Sequence, residues 1–191
     1  MFVVTLVGMP GSGKSAISER MSSIDGVNWI QSRQIIRELT NATSTADMQN
    51  KGLQFNTPNN NEKFFDCLDR KFQTGALNIF DAVRPESHWD EFKRRYDSNA
   101  VLVCIDAPRD LRQTRLLERE GCPDELLLRD DHKVEAEVPT LMKKADIFVN
   151  NTENIALAVT RLLRKLAHRF ENAEETKVLL DQVFVEFRKS F

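Results

Sequence analysis

The stretch GMPGSGKS, Gly8 to Ser15, follows directly on the apolar run FVVTLV and fits the spacing G-x-x-x-x-G-K-[ST] throughout. Phosphates concentrate negative charge and acceptor oxygens, and a loop that turns its backbone N–H groups inward surrounds them. Glycines supply the dihedrals and the close approach that such a loop needs. A helix beginning near Lys14 adds the positive end of its dipole. In that arrangement Lys14 reaches the β- and γ-phosphates of ATP, and the Ser15 hydroxyl ligates Mg2+. The expected nucleotide-binding set is Gly8, Met9, Pro10, Gly11, Ser12, Gly13, Lys14, Ser15 and Ala16. A glycine-rich turn that matched by chance would not need a strand before it and a helix after it, and both signals are present.

Further residues have the chemistry to complete a phosphoryl-transfer site. Asp81 ends an apolar run and is the candidate to hold Mg2+ together with Ser15; the alternative is a turn aspartate ahead of Pro85. Asp106 competes for that role, although the Ala107-Pro108 that follows reads as a capped helix start. Arg84 is a candidate for an acidic group on the acceptor, or else a surface partner of Glu86. Arg33 and Arg37 lie four apart on one helix face, which reads either as acceptor binding or as a solvated face. Arg112, Arg115 and Arg119 form a cationic stripe, with Arg129 beyond a Gly-Cys-Pro-Asp turn. Arg115, Arg119 and Arg129 on a closing lid would neutralise charge on the transferred phosphoryl group, making them catalytic candidates beside Lys14 and Asp81. Pairing with Glu118 and Glu120 on an ordinary exposed helix is the competing reading.

These residues need a scaffold that gathers strand ends. Apolar strands are expected at 2–7, 27–30, 76–81, 100–106 and 147–149, alternating with helices at 14–21, 33–39, 62–72, 85–96, 109–120, 130–144, 153–169 and 174–189. Strands that are apolar without alternation imply a parallel sheet covered on both faces. The polar stretch at 40–61 is either mobile or an inserted binding region, with Asn61 as a cap for the helix after it. The helix expected at 130–144 is interrupted by Pro139. Twenty-seven basic against 29 acidic residues argue against a general nucleic-acid coat. No apolar stretch approaches membrane-spanning length, and no signal peptide is evident. Cys67, Cys104 and Cys122 are widely spaced, and the three histidines show no metal spacing; the chain reads as cytoplasmic, with reduced thiols. Trp29 and Trp89 read as packing residues, with base stacking beside the basic acceptor region as the alternative.

Five segments recur in an order that resembles the small nucleoside and nucleotide kinases: LVGMPGSGKS, WIQSRQIIRE, IFDAVRPESHWDEF, LLRDDHKVEAEV and KADIFVNNT. The closest likeness is to the archaeal dephospho-CoA-kinase-like family of adenylate-kinase relatives, over roughly residues 1–155. The resemblance implies a three-layer α/β P-loop NTPase fold, with a five-stranded parallel sheet in the order 2-3-1-4-5. The chain reads as one P-loop kinase-like domain over 1–191, with an acceptor-binding insertion at 32–75, a lid at 117–140 and a C-terminal helix at 170–191 that lies outside the resemblance. The resemblance also places Asn150 near the adenine, with Asn151 or Thr152 as alternative helix caps. Two positions depart from the family pattern. Gln34 stands where the family has the carboxylate near the acceptor hydroxyl, and Ala82 stands where it has glycine.

The expected activity is transfer of the γ-phosphoryl group of ATP, with Mg2+, to a small acceptor. A nucleotide or nucleoside comes first and dephospho-CoA second. The alternatives are a nucleotide-binding regulator with weak ATPase activity and a nucleic-acid 5′-end kinase. The apolar face of the last helix is either core or the surface of a homodimer.

Overall fold

A computed structural model describes residues 1–120 and 132–189. Five parallel strands form one sheet in the order β2-β3-β1-β4-β5. They are β1 (Phe2–Val7), β2 (Val27–Gln31), β3 (Leu77–Asp81), β4 (Ala100–Asp106) and β5 (Ile147–Asn150). All six residues of β1 are buried, as expected of a central strand with no solvent face. Phe2, Val4 and Leu6 point into one apolar cluster and Val3 and Val7 into another, following the two-residue period of a strand. Both faces are therefore covered.

The first cluster is closed by α1 (Lys14–Ser22) and two late helices, α8 (Ile155–Arg169) and α9 (Glu174–Lys189). The second is closed by α2 (Ser32–Thr40), α4 (Pro58–Asp69), α5 (Glu86–Tyr96) and α7 (Val138–Lys143). Between α2 and α4 runs α3 (Thr45–Gly52), and α6 (Arg109–Glu120) leaves β4. Leu180, Val183 and Phe187 of α9 are buried against the first cluster. At roughly 1.5–3 kcal/mol for each buried side chain, α9 is part of the core rather than an appendage. Val178 and Val185 are its exposed apolar residues.

Four helices differ from the pattern expected of the sequence. The polar 40–61 stretch is helical, because the Ser44 hydroxyl accepts from the Asp47 N–H at 3.1 Å to start α3, and Met48 and Phe55 anchor it. A 3-10 turn at Leu53–Asn56 follows, and α4 begins at Pro58, which leaves Asn61 inside the helix rather than capping it. Pro139 opens α7 in its first turn instead of interrupting a longer helix, consistent with a proline needing no N–H there. The helix after β5 is capped by Asn154, whose side chain accepts from Leu157 N–H at 2.8 Å. Asn151 and Thr152 do not cap it. Among the described residues no helix is long and apolar enough to cross a membrane.

Candidate active site

The carboxyl ends of β1, β3, β4 and β5 share one edge, where ligands bind in open parallel sheets. At the end of β1 the chain turns through Gly8 to Gly13 and enters α1. Gly13 has φ +95°, and a Cβ there would stand 2.2 Å from the Asn151 amide nitrogen. At Gly8 a Cβ would stand 2.2 Å from the Ile105 carbonyl oxygen. Glycine is obligatory at both, once for conformation and once for the approach of β4. The loop closes on itself through Ser12 N–H to the Met9 carbonyl at 3.1 Å, and α1 starts with Ile17 N–H to Gly13 at 3.0 Å.

Lys14 turns its ammonium under the loop. Nζ donates to the Gly8 carbonyl at 2.6 Å, the Met9 carbonyl at 3.2 Å and the Ser12 hydroxyl at 3.5 Å. Burial lowers its pKa to about 8, opposed chiefly by the charge of Glu135. Ser15 and Ala16 follow at the mouth of the same cavity, which measures about 720 Å³.

Arginines of α6 hold the loop from outside. Arg112 is buried and donates to the Pro10 carbonyl at 2.8 Å. Arg115 donates to the Ser12 carbonyl at 3.5 Å and to the Asn151 carbonyl at 2.9 Å. Arg115 is thus tied to the glycine loop and to the residue after β5. Arg119, one turn further along, also lines the cavity. Arg129 lies outside the described residues, as does the 121–131 part of the expected lid.

Asp81 ends β3 inside the cavity wall. Its two carboxylate oxygens accept from the Ser32 N–H at 3.1 Å and the Trp29 indole N–H at 3.3 Å. Burial raises its pKa, and the two donors oppose that. Trp29 is therefore a hydrogen-bond donor to the site and not only a packing residue. Asp81 and the Ser15 hydroxyl are hard oxygen donors facing one space, which suits Mg2+. Among the described residues no three His, Cys, Asp or Glu side chains come together to hold a metal.

Across the cavity stand Arg33 and Arg84. Arg33 donates to the Gln31 side chain at 2.6 Å. Arg37 does not join it in the cavity wall; its guanidinium donates to the sulfur of Met48, which does line the cavity, at 4.0 Å. Arg84 does not pair with Glu86. It donates instead to Glu135 at 2.7 Å, while Glu86 bonds Lys144.

Asn150 also departs from expectation. It is exposed at the end of β5, and its carbonyl accepts from Arg161 at 3.3 Å. The next residue, Asn151, turns inward, is 1% exposed and donates to the Ser12 carbonyl at 2.8 Å. An edge strand with the burial pattern BeBe puts alternate residues on opposite faces, so a shift of one position reverses the assignment. Glu135 is the site residue that spacing did not single out; Arg112 was legible only as part of the cationic stripe and Asn151 only as a possible helix cap.

The wall carries five cations, Lys14, Arg33, Arg84, Arg115 and Arg119, against the carboxylates of Asp81, Glu118 and Glu135. An anionic ligand fits that balance. The family model for an AAA domain, AAA_33, matches residues 3–145. The chain belongs to this AAA domain family. In fold it is similar to solved kinases: a gluconokinase from Sinorhizobium meliloti 1021 superposes with a TM-score of 0.60 at 15% identity, covering 90% of this chain and 94% of that one. A shikimate kinase from Acinetobacter baumannii in complex with shikimate gives a TM-score of 0.62 at 16% identity, over 91% and 95% of the two chains. By sequence, a UPF0200 protein of Saccharolobus islandicus is 25% identical over 164 residues, 80% of this chain and 85% of the relative. A UPF0200/UPF0201 protein of Archaeoglobus fulgidus is 23% identical, over 93% and 60% respectively.

Proposed function

We propose that this AAA-domain protein moves the γ-phosphoryl group of ATP, with Mg2+, to a hydroxyl or phosphate on a small acceptor. The observation that carries the reading is Lys14 beneath a glycine loop at the mouth of a cavity that also holds Ser15, Asp81 and Arg84. A passive phosphate site needs the loop alone. Here the cavity continues beyond it to a second, mixed wall of Ile36, Met48, Arg33 and Arg84, room for a second reactant. Holding two reactants in line removes a large entropic part of the barrier, and the cations stabilise charge on the phosphoryl group as it moves.

In this reading residues 8–16 cradle the triphosphate, and Ser15 and Asp81 hold the Mg2+, which neutralises phosphate charge when bound. Arg115 and Arg119 complete the donor side, and Arg129 remains the further arginine of the lid. The 32–75 region forms the acceptor side, with Arg33 and Arg84 nearer the acceptor than Arg37. A nucleotide or nucleoside is the first acceptor class and dephospho-CoA the second. The fold shared with a shikimate kinase and a gluconokinase adds small hydroxy acids to the set worth testing. The whole chain is read as one kinase-like unit acting in the cytoplasm.

The competing reading is a nucleotide-binding regulator, favoured by the amide of Gln34 where the resembled kinases have an acid. The test incubates the protein with γ-labelled ATP, Mg2+ and, separately, AMP, adenosine, dephospho-CoA, shikimate, gluconate and a 5′-hydroxyl oligonucleotide. Label moving to a small acceptor supports the kinase, and label on the oligonucleotide a nucleic-acid kinase. Tight ATP binding without transfer supports the regulator.

A further inference from the structure

We infer that Glu135 is a catalytic residue: its carboxylate receives the acceptor's hydroxyl proton, in place of the acid that Gln34 cannot supply. The inference rests on the phosphotransfer reading above. Gln34 is exposed on α2 and is not part of the cavity wall, so neither its chemistry nor its position serves an acceptor. Glu135 is the opposite case. It closes a one-turn 3-10 segment, Lys133–Glu135, lines the cavity and is only 3% exposed.

The two buried carboxylates of the site divide by their partners. Asp81 has both oxygens engaged by its own scaffold, Ser32 N–H and Trp29 indole, which fixes it at the end of β3. Glu135 has Oε1 held by Arg84 at 2.7 Å, and among the described residues Oε2 accepts no hydrogen bond. A carboxylate held by one oxygen and open at the other is suited to take a proton from a neighbouring hydroxyl. It lines the same cavity as Lys14 and Ser15.

Arg84 is then a positioning residue. Its ion pair aims Glu135 and places a fixed cation beside the carboxylate. The pair as a whole is neutral. This favours an acceptor that presents a hydroxyl there rather than an acidic group. The step balances: the acceptor oxygen forms a bond to Pγ, the bond from Pγ to the β,γ-bridging oxygen breaks, and its electrons leave with ADP. The hydroxyl proton passes to Glu135 and then to solvent.

The test compares wild type with Glu135→Gln and Glu135→Asp, measuring ADP release from Mg-ATP with each acceptor of the labelling panel and with water alone. Affinity for the β,γ-imido analogue of ATP is measured by calorimetry alongside. Glutamine retains an oxygen for Arg84 but cannot take the proton. The expected result is a fall in kcat of about 100-fold or more for Glu135→Gln, with partial recovery in Glu135→Asp and analogue affinity within threefold of wild type. If Glu135→Gln does not fold, Glu135→Asp decides, with a fall in kcat of roughly tenfold or more expected. Turnover by the folded variants within threefold of wild type overturns the inference. So does a raised KM for ATP at unchanged kcat, which would make Glu135 a structural partner of Arg84. Absence of ADP release and label transfer in the wild type itself overturns the phosphotransfer reading, and this inference with it.

Discussion

The Asn151 amide donates to the Ser12 carbonyl across 2.8 Å, and the same nitrogen stands where a side chain on Gly13 would have to begin. The strand farthest from β2 thus reaches back over β4 to shape the phosphate loop on β1. Arg115 reinforces the tie by donating to both the Ser12 and Asn151 carbonyls. Asn151→Ala removes the shorter of the two bonds to Ser12. With a cost of about 1–3 kcal/mol for a poorly satisfied buried carbonyl, ATP affinity should weaken roughly tenfold. Calorimetry checks this. Gly13→Ala should weaken binding further, because a methyl there meets Asn151 and the φ of +95° is strained for alanine.

Ala82 has φ +73° immediately after Asp81, a left-handed conformation that costs an L-residue about 1–2 kcal/mol. Ala82→Gly should remove most of that cost, so the urea midpoint should rise by an amount corresponding to about 1 kcal/mol, with the slope unchanged. The larger unfolded-state entropy of glycine offsets part of the gain.

His88 is buried against Phe64, with Nε2 3.2 Å from the Phe55 carbonyl oxygen, and burial lowers its pKa to about 4. The unfolded chain takes up a proton near pH 6.5 while the folded protein does not until about 4. Between those values the unfolded state holds more protons, so stability falls as pH falls through the window. The loss from this one group is on the order of 3 kcal/mol at the lower end. Thermal unfolding followed from pH 7 to 4 should show the decline, and His88→Gln should flatten it.

Lys14, with its pKa lowered to about 8, loses its charge in mildly alkaline solution when no phosphate is near. A bound triphosphate favours the ammonium, so ATP binding at pH 9 should take up close to one proton. Affinity should weaken by up to about tenfold between pH 8 and 9. Calorimetry in two buffers of different ionisation enthalpy measures the proton directly. Folding stability runs in the other direction: between pH 8 and the ordinary lysine value the unfolded chain holds the extra proton, so this group's contribution rises with pH.

The sheet was legible because its strands are short apolar runs that end in Gly8, Asp81 and Asp106, where hydrophobic pattern and turn chemistry agree. The phosphate loop was legible because its constraints are local: Gly13 and Lys14 act through their own backbone and neighbours. Glu135 was not, since its meaning depends on Arg84, 51 residues away in sequence. Nor was the choice between Asn150 and Asn151, because adjacent asparagines at the end of an edge strand differ only in the face they occupy. The 40–61 helices were hidden by composition: between Met48 and Phe55 the positions that would complete an apolar stripe are Lys51 and Gly52, and Ser44 marks a start only once the helix is seen.

The most direct test of the account is label transfer from γ-labelled ATP by wild type and Lys14→Ala, each first shown to have the same circular dichroism spectrum and a similar melting temperature. The account predicts acceptor-dependent labelled product from wild type and a loss of at least about 100-fold in the variant, since Lys14 carries the charge that meets the transferred phosphoryl group. Equal product from a folded Lys14→Ala protein, or no labelled product from wild type with any acceptor, would contradict it.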